Sequence, residues 1–369
     1  MIKSGTPIII GFKQVKNRIT FAPTVKFDWT DSSGIAIDRF AQHYAARAAG
    51  GVGLIVVEAT CVSPDGRLSP TQLGLWDDSQ IEGHAQITGA CHSHGAVMLV
   101  QLHHGGYNTH PDCGPSRGPS SMEWRSFNNI TTDAYSPEEI TALRDKFIRA
   151  AVRAKKAGYD GVQLHACHGY LLNQFVSPTA NRRTDAYGGD TKSRTRLVCE
   201  IIRGIHEACG RDFIVSARTT VAEPSLEEAG AIADAYIESG VDYLQASTGI
   251  ATLEPDEIGC PKDIPYNCTV WAGTALHRHV AGRVPVSVVN GILSPALANY
   301  IIGNELADTV DAARALLADP AWARAVTDGA DYIECRDCKA CFWSPFMPHK
   351  CPAASKRHAL NPDGIDYRG

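Results

Sequence analysis

The chain has 369 residues, 44% of them apolar and 20% charged, which suits one large α/β domain and excludes a disordered chain. Its net charge of −5 and pI of about 6.3 give no broad basic surface for nucleic acid or anionic lipid. No apolar run comes near the roughly 18 residues that cross a bilayer; the longest lies around Gly53 to Val57.

In chain order, short β-branched runs alternate with longer amphipathic stretches, the pattern of βαβ units on a parallel sheet. The start, Met1-Ile2-Lys3-Ser4-Gly5, has neither the apolar stretch nor the cleavage signal of a secretory leader, so the expected location is cytoplasmic, with no nucleic-acid or membrane partner. Strands are expected at Arg18 to Ala22, Gly53 to Glu58 and Val97 to Leu102. A connection rich in Gly, Pro, Ser and Asn follows, from His103 to Tyr135, and leads to a helix from Pro137 to Ala157. Ser136 reads as its N-cap, Pro137 as its first residue, Glu138 and Glu139 as first-turn acids and Gly158 as its stop. The next strand, Gly161 to His165, is followed by a second long connection, Ala166 to Asp190. Then come a helix Thr191 to Cys209, a strand Phe213 to Arg218, a helix Leu226 to Ser239 and a strand Tyr243 to Ala246. A helix Asn267 to Ala281 and strands Pro285 to Val289 and Asp308 to Ala312 complete the count. Eight strands in about 320 residues indicate an α/β fold, a closed (β/α)8 TIM barrel, whose long loops lie on the binding face. An open dinucleotide-binding sheet is disfavoured, because no Gly-x-Gly-x-x-Gly follows the first strand. The expected division is a barrel domain over 1–330 and a short cysteine-rich extension over 331–369.

Chemistry concentrates where the fourth expected strand ends, in His165-Ala-Cys-His168-Gly-Tyr170. Two imidazoles and a phenol within six residues offer two donors to an anionic oxygen and one weak acid. The second concentration is Cys335-Arg-Asp-Cys338-Lys-Ala-Cys341 with Cys351-Pro352 beyond it, a ligand set suited to a 4Fe–4S cluster or to structural zinc. The other eight of the twelve cysteines, Cys61, Cys91, Cys113, Cys167, Cys199, Cys209, Cys260 and Cys268, have no repeated spacing and read as free thiols. Asp65-Gly66-Arg67 reads as a turn, Lys26 as solvent-facing, and Trp76, Trp271, Trp322 and Trp343 as packing anchors.

The stretch from His165 to Gly189, with Arg194, resembles the Old Yellow Enzyme family of FMN-dependent ene-reductases, and the resemblance extends to about Pro320. It includes Asn17-Arg18-Ile19 with Ala22-Pro23, Glu58-Ala59, Gln101-Leu102-His103-His104, Arg218, Asn290-Gly291, and Arg314 with Leu316 to Pro320. The resemblance implies that Ala22, Pro23, Thr24, Val25 and Ala59 line a flavin ring and that Gln101 meets its pyrimidine edge. By the same resemblance Arg218 lies near N1, while Asn290, Gly291, Ala313 and Arg314 bind the phosphate. His165 and His168 would hold a substrate oxygen and Tyr170 would supply a proton. Two positions depart from the family pattern: Val25 stands where a flavin-touching threonine or cysteine is usual, and Ala313 replaces a glycine. The loop from Gly105 to Tyr135 matches nothing residue by residue.

The C-terminal cysteines are similar to those of 2,4-dienoyl-CoA reductase and trimethylamine dehydrogenase, at a narrower spacing. The expected protein is therefore an FMN enzyme that reduces an enone or enoyl-type C=C bond with NAD(P)H as co-substrate. A 4Fe–4S cluster, or zinc, would sit on Cys335, Cys338, Cys341 and Cys351. Two alternatives stay open: a flavin/iron–sulfur dehydrogenase oxidising an amine, and a zinc-bearing barrel that binds a phosphate ligand without flavin. Association into a homo-oligomer is compatible with the family.

Overall fold

The structure, a computed structural model, describes residues 3–125, 129–250, 255–338, 341, 351 and 353. The chain opens with an antiparallel hairpin of β1 (Ile8–Ile10) and β2 (Lys13–Val15). Then follow β3 (Ile19–Phe21), α1 (Asp38–Ala49), β4 (Leu54–Cys61), α2 (Ile81–His92) and β5 (Val97–His103). The first long connection carries β6 (Arg117–Gly118), β7 (Met122–Arg125) and β8 (Asn129–Ala134), and leads to α3 (Pro137–Lys156). Next come β9 (Gly161–Ala166), α4 (Leu171–Val176), α5 (Thr191–Cys209), β10 (Ile214–Thr220), α6 (Leu226–Glu238) and β11 (Tyr243–Ser247). The last are α7 (Cys268–Val280), β12 (Val286–Val289), α8 (Pro295–Gly303), β13 (Thr309–Ala312), α9 (Arg314–Ala318) and α10 (Trp322–Asp328).

Strands β3, β4, β5, β9, β10, β11, β12 and β13 close, in that order and all parallel, into a barrel. All eight expected strands are therefore present, and the fold is the expected (β/α)8 barrel. Every residue of these strands is buried, because helices cover the outside and side chains fill the inside; such strands read as near-continuous apolar runs.

The strand period of two sorts the side chains. Met98, Val100, Leu102, Val162, Leu164, Val215 and Ala217 belong to the large cluster shared with the helices. Leu54, Val56, Leu99, Ile214 and Tyr243 form a second cluster, which Ile10 and Val15 of the hairpin close from below. One layer higher the interior turns polar, with Gln101, Gln163 and Ser216 linked by hydrogen bonds. The apolar layer is the floor and the polar layer faces the mouth where the long loops gather.

The first connection, expected as a loop, folds into a three-stranded sheet in the order β6-β8-β7. Arg183 of the second connection ties the two together through the carbonyls of Pro119 (2.8 Å) and Tyr135 (2.7 Å). The expected cap of α3 is a full capping box: the Glu139 N–H donates to Ser136 Oγ and the Ser136 N–H to Glu139 Oε2.

Three expectations are corrected. Cys260 and Cys268 are joined by a disulfide rather than free, because the eight-residue step between them brings their Cα atoms to 5.7 Å. Lys26 is 1% exposed instead of solvent-facing; its backbone N–H donates to Glu58 Oε2 at 2.7 Å. Asp65 and Gly66 lie in a 3-10 turn, while Arg67 is buried and holds the carbonyls of Pro64, Ser32 and Pro70, a structural clamp rather than a plain turn residue. Trp322 is fully buried with its indole N–H on the Leu293 carbonyl, an anchor as expected; Trp343 lies outside the described residues. So does most of the cysteine-rich extension. Among the described residues, no helix is long and apolar enough to cross a membrane.

Gly161 opens β9 where the backbones are closest: a Cβ there would lie 2.3 Å from the Ile214 carbonyl oxygen. Overpacking of this kind costs roughly 1–3 kcal/mol, so Gly161→Ala should lower the thermal midpoint followed by near-UV circular dichroism. An unchanged midpoint would mean that β9 and β10 have room to part.

Candidate active site

His165 leaves β9 into the barrel mouth, opposite Arg218 of β10 in the parallel register. The chain then turns on two residues in the left-handed region, His168 (φ 62°) and Gly169 (φ 74°), which brings His168 back over the strand end. The Gly169 turn is fastened by Asn173, whose Oδ1 accepts its N–H at 2.8 Å, and by Gln174, whose Nε2 donates to its carbonyl at 2.6 Å. Tyr170 follows as the residue before α4.

This local fold brings the three expected residues together. His165 Nε2 lies 2.9 Å from His168 Nδ1, and His168 Nε2 lies 2.7 Å from Ser247 Oγ at the end of β11. The two imidazoles are bonded to each other, so an incoming oxygen must exchange with these partners. The Tyr170 ring stands edge-on to His165, with centroids 4.9 Å apart. Burial pushes both histidines well below the ordinary 6.5, and Arg218 adds to the effect, so they are neutral donors. Burial raises the Tyr170 phenol above 10, which keeps it protonated.

Two joined cavities open here. One, of about 340 Å³, is lined by Ala22, Pro23, Thr24, Val25, Ala59, Gln101, His165, His168, Tyr170 and Arg218. The other, of about 460 Å³, runs from His168 and Arg218 along Asn290 and Gly291 to Ala313 and Arg314. All the expected flavin-site residues therefore line one of the two, and His168, Arg218 and Ala313 line both.

The donor set fits FMN. Arg218 Nε is buried without a hydrogen-bond partner, a cation aimed at the junction of the two cavities. Gln101 gives its Nε2–H to Gln163 at 2.8 Å, which leaves its Oε1 to accept from a ring N–H. At the far end Gly291 has φ 71°, and a Cβ there would meet Asn267 Nδ2 at 2.7 Å, so only glycine leaves that backbone bare for a phosphate. Arg314 is ion-paired with the Asp337 carboxylate, an anion in the place where the resemblance puts the phosphate.

Asp337 belongs to the cysteine-rich segment, which thus reaches the phosphate end. Cys341 is buried, Cys335 and Cys351 are half-buried and Cys338 is exposed. Burial pushes the Cys341 thiol up to about 11, with Cys335, Cys351 and Cys338 close enough to add to the shift and Arg314 close enough to oppose it. No three of the four sulfurs come within 4.8 Å of one another among the described residues. A tetrahedral zinc needs them roughly 3.8 Å apart, from Zn–S of about 2.3 Å; a cubane cluster spreads its thiolates wider.

Three further residues contact or line the site. His103 bonds to His165 and Ser247 to His168. Asp311, buried at the wall of the larger cavity, is pushed up to about 7 by burial, opposed by Ser287 and Arg218. The strand period could have found His103, two residues beyond Gln101; Asp311 and Ser247 carry no sequence signal.

Comparison with known proteins gives a consistent result. The family model described as NADH:flavin oxidoreductase / NADH oxidase matches residues 5–332. The NADPH dehydrogenase of Halalkalibacterium halodurans is 36% identical over 84% of this chain and 89% of its own length. The NADH oxidase of Thermoanaerobacter brockii is also 36% identical, over 90% of this chain, but the chain spans only 52% of that protein. An Old Yellow Enzyme homologue from Zymomonas mobilis superimposes with a TM-score of 0.79 at 25% identity, covering 94% of this chain and 98% of its own.

Proposed function

Because the chain belongs to the NADH:flavin oxidoreductase / NADH oxidase family, the family that includes Old Yellow Enzyme, we propose that it reduces an activated C=C bond of an enone or enoyl-type substrate. It is an FMN-dependent NAD(P)H oxidoreductase, so the alternative of a flavin-free zinc barrel is set aside. The observation that carries the proposal is the convergence of His165, His168 and Tyr170 on the cavity that Gln101 and Arg218 also line.

FMN held there would supply the hydride chemistry between NAD(P)H and the β-carbon. Ala22, Pro23, Thr24, Val25 and Ala59 would line its ring, with Gln101 at the pyrimidine edge; Asn290, Gly291, Ala313 and Arg314 would hold the phosphate. The Arg218 guanidinium would stabilise negative charge beside N1. His165 and His168 donate to the substrate oxygen, and these bonds strengthen as negative charge develops there, which favours the transition state over the ground state. Tyr170 delivers the proton to the α-carbon. Val25, which would touch the ring, offers no hydrogen bond, a difference in redox tuning from family members with threonine or cysteine there.

The test is anaerobic turnover of NADPH with 2-cyclohexenone by the purified holoenzyme. Formation of cyclohexanone in step with NADPH oxidation supports the proposal; NADPH that is consumed only once oxygen is admitted, with the enone untouched, refutes it. Above about pH 8, past the titration of Asp311 near 7, the rate of the alkene step is expected to be flat up to pH 10. The histidines titrate below the lower limit and Tyr170 above the upper one, so none changes charge between them. A rate that rises or falls tenfold per unit inside this window would mean that another group donates the proton.

The gathering of Cys335, Cys338 and Cys351 around Cys341, with Arg314 beside Cys335 and Cys341, favours a second cofactor. These four thiolates would hold a 4Fe–4S cluster, which would supply one-electron transfer at the phosphate end of the flavin site and permit the reverse, substrate-oxidising direction. Equimolar iron and sulfide above background, with an electron paramagnetic resonance signal after dithionite reduction, would support the cluster; stoichiometric zinc would replace it.

A further inference from the structure

His103 ends β5 and is fully buried. Its Nδ1 lies 3.0 Å from His165 Nδ1, and its ring stands edge-on to Tyr170 with centroids 4.6 Å apart. It touches two of the three residues to which the alkene chemistry is assigned, His165 and Tyr170, yet it lines neither cavity.

The hydrogen bonds form one chain: His103, His165, His168, Ser247. Each link between two imidazoles holds a single proton, so with neutral rings the chain has only two directions. In one, the Ser247 hydroxyl donates to His168, His168 to His165 and His165 to His103. His103 would then carry its own proton on Nε2, which is buried without a hydrogen-bond partner; orphaned buried N–H groups are rare. In the other direction, His103 Nδ1–H donates to His165 Nδ1, His165 Nε2–H to His168 Nδ1 and His168 Nε2–H to Ser247 Oγ. Only a lone pair is then left unmatched on His103.

We propose that His103 is a positioning residue that holds His165 in its Nε2–H tautomer. This assignment rests on the reading of His165 as the donor to the substrate oxygen, and it names what makes that donor available. The opposite tautomer would present a lone pair to the substrate oxygen, and repulsion would replace the bond on which transition-state stabilisation depends. Ser247 terminates the chain as an acceptor and keeps the His168 Nε2–H available in the same way.

The test is histidine ¹⁵N NMR of the FMN holoenzyme, in which two-bond couplings distinguish protonated from bare ring nitrogens; His165→Asn assigns the His165 signals. In the wild type, His165 is expected to be protonated on Nε2 and bare on Nδ1. In His103→Leu it should become a mixture of tautomers, and reoxidation of the reduced enzyme by 2-cyclohexenone should slow roughly ten- to hundredfold, while reduction by NADPH keeps its rate. His103→Gln, whose side-chain N–H can still donate, should restore both the tautomer and the rate. A wild-type His165 protonated on Nδ1 overturns the proposal, as does an unchanged tautomer in His103→Leu. Should His103→Leu fail to fold, the wild-type spectrum still decides. A wild type with the expected tautomer but no enone reduction supports the assignment to His103 while refuting the proposed reaction.

Discussion

Tyr170→Phe is expected to slow oxidation of the reduced enzyme by an enone by roughly 10²- to 10⁴-fold, the usual contribution of a positioned general acid, while reduction by NADPH is unchanged. The substitution removes only an oxygen, and the ring keeps its edge-on contacts with His103 and His165, so packing is preserved and the loss is chemical. Burial raises the phenol above its ordinary value, so it is fully protonated at neutral pH and available as an acid in every turnover. Hydride transfer from NADPH needs no proton from Tyr170, which is why the two half-reactions should part. Rapid mixing of each half-reaction under anaerobic conditions measures the two rates separately, and equal loss in both would remove Tyr170 from the acid role.

The second large effect is expected at the oxygen-binding pair. His165→Ala should lower the rate of the alkene step by roughly 10²- to 10³-fold, the usual cost of removing one donor from a developing oxyanion. His165 stands between His103 and His168, so its loss frees both neighbours to reorient, whereas His168→Ala leaves the His103–His165 link intact. The His165 variant should therefore be the slower of the two. Double substitution should cost less than the product of the single effects, because residues in one hydrogen-bonded chain do not act independently. Equal and fully additive losses would mean that the imidazoles act separately and that the chain is incidental to the reaction.

The barrel was legible because its strands are buried on both faces: Val97 to Leu102 is an apolar run that only a covered sheet explains. The helix from Pro137 to Lys156 was legible for a different reason, the Ser136 cap, the leading proline and the first-turn acids Glu138 and Glu139. Three-residue strands such as Ile8–Ile10 have too few residues to establish a period, so the hairpin that floors the barrel was not foreseen. The β6-β8-β7 sheet was hidden by the Gly and Pro content of its connection.

Legibility of the site follows the same division. His165, His168 and Tyr170 are neighbours in sequence, so one turn brings them together and their association can be read directly. Arg218, Gln101 and Arg314 became readable only as parts of a resemblance, since each comes from a different element. His103 was in view as part of the third strand, but its hydrogen bond to His165 spans 62 positions and exists only because β5 pairs with β9. Lys26 was misplaced because its burial depends on Glu58, 32 residues away. The Cys260–Cys268 pair was missed because cysteine spacing alone does not report how a loop returns.

The most direct measurement of the central claim is a single turnover with labelled hydride. Holoenzyme reduced with NADPH carrying deuterium at the transferred position is mixed, without oxygen, with 2-cyclohexenone in ordinary water, and the product is read by NMR. The account predicts FMN reoxidation with cyclohexanone carrying one deuterium at the β-carbon and a solvent-derived proton at the α-carbon. Deuterium at the α-carbon, or reduced FMN that persists in the presence of the enone, would contradict it.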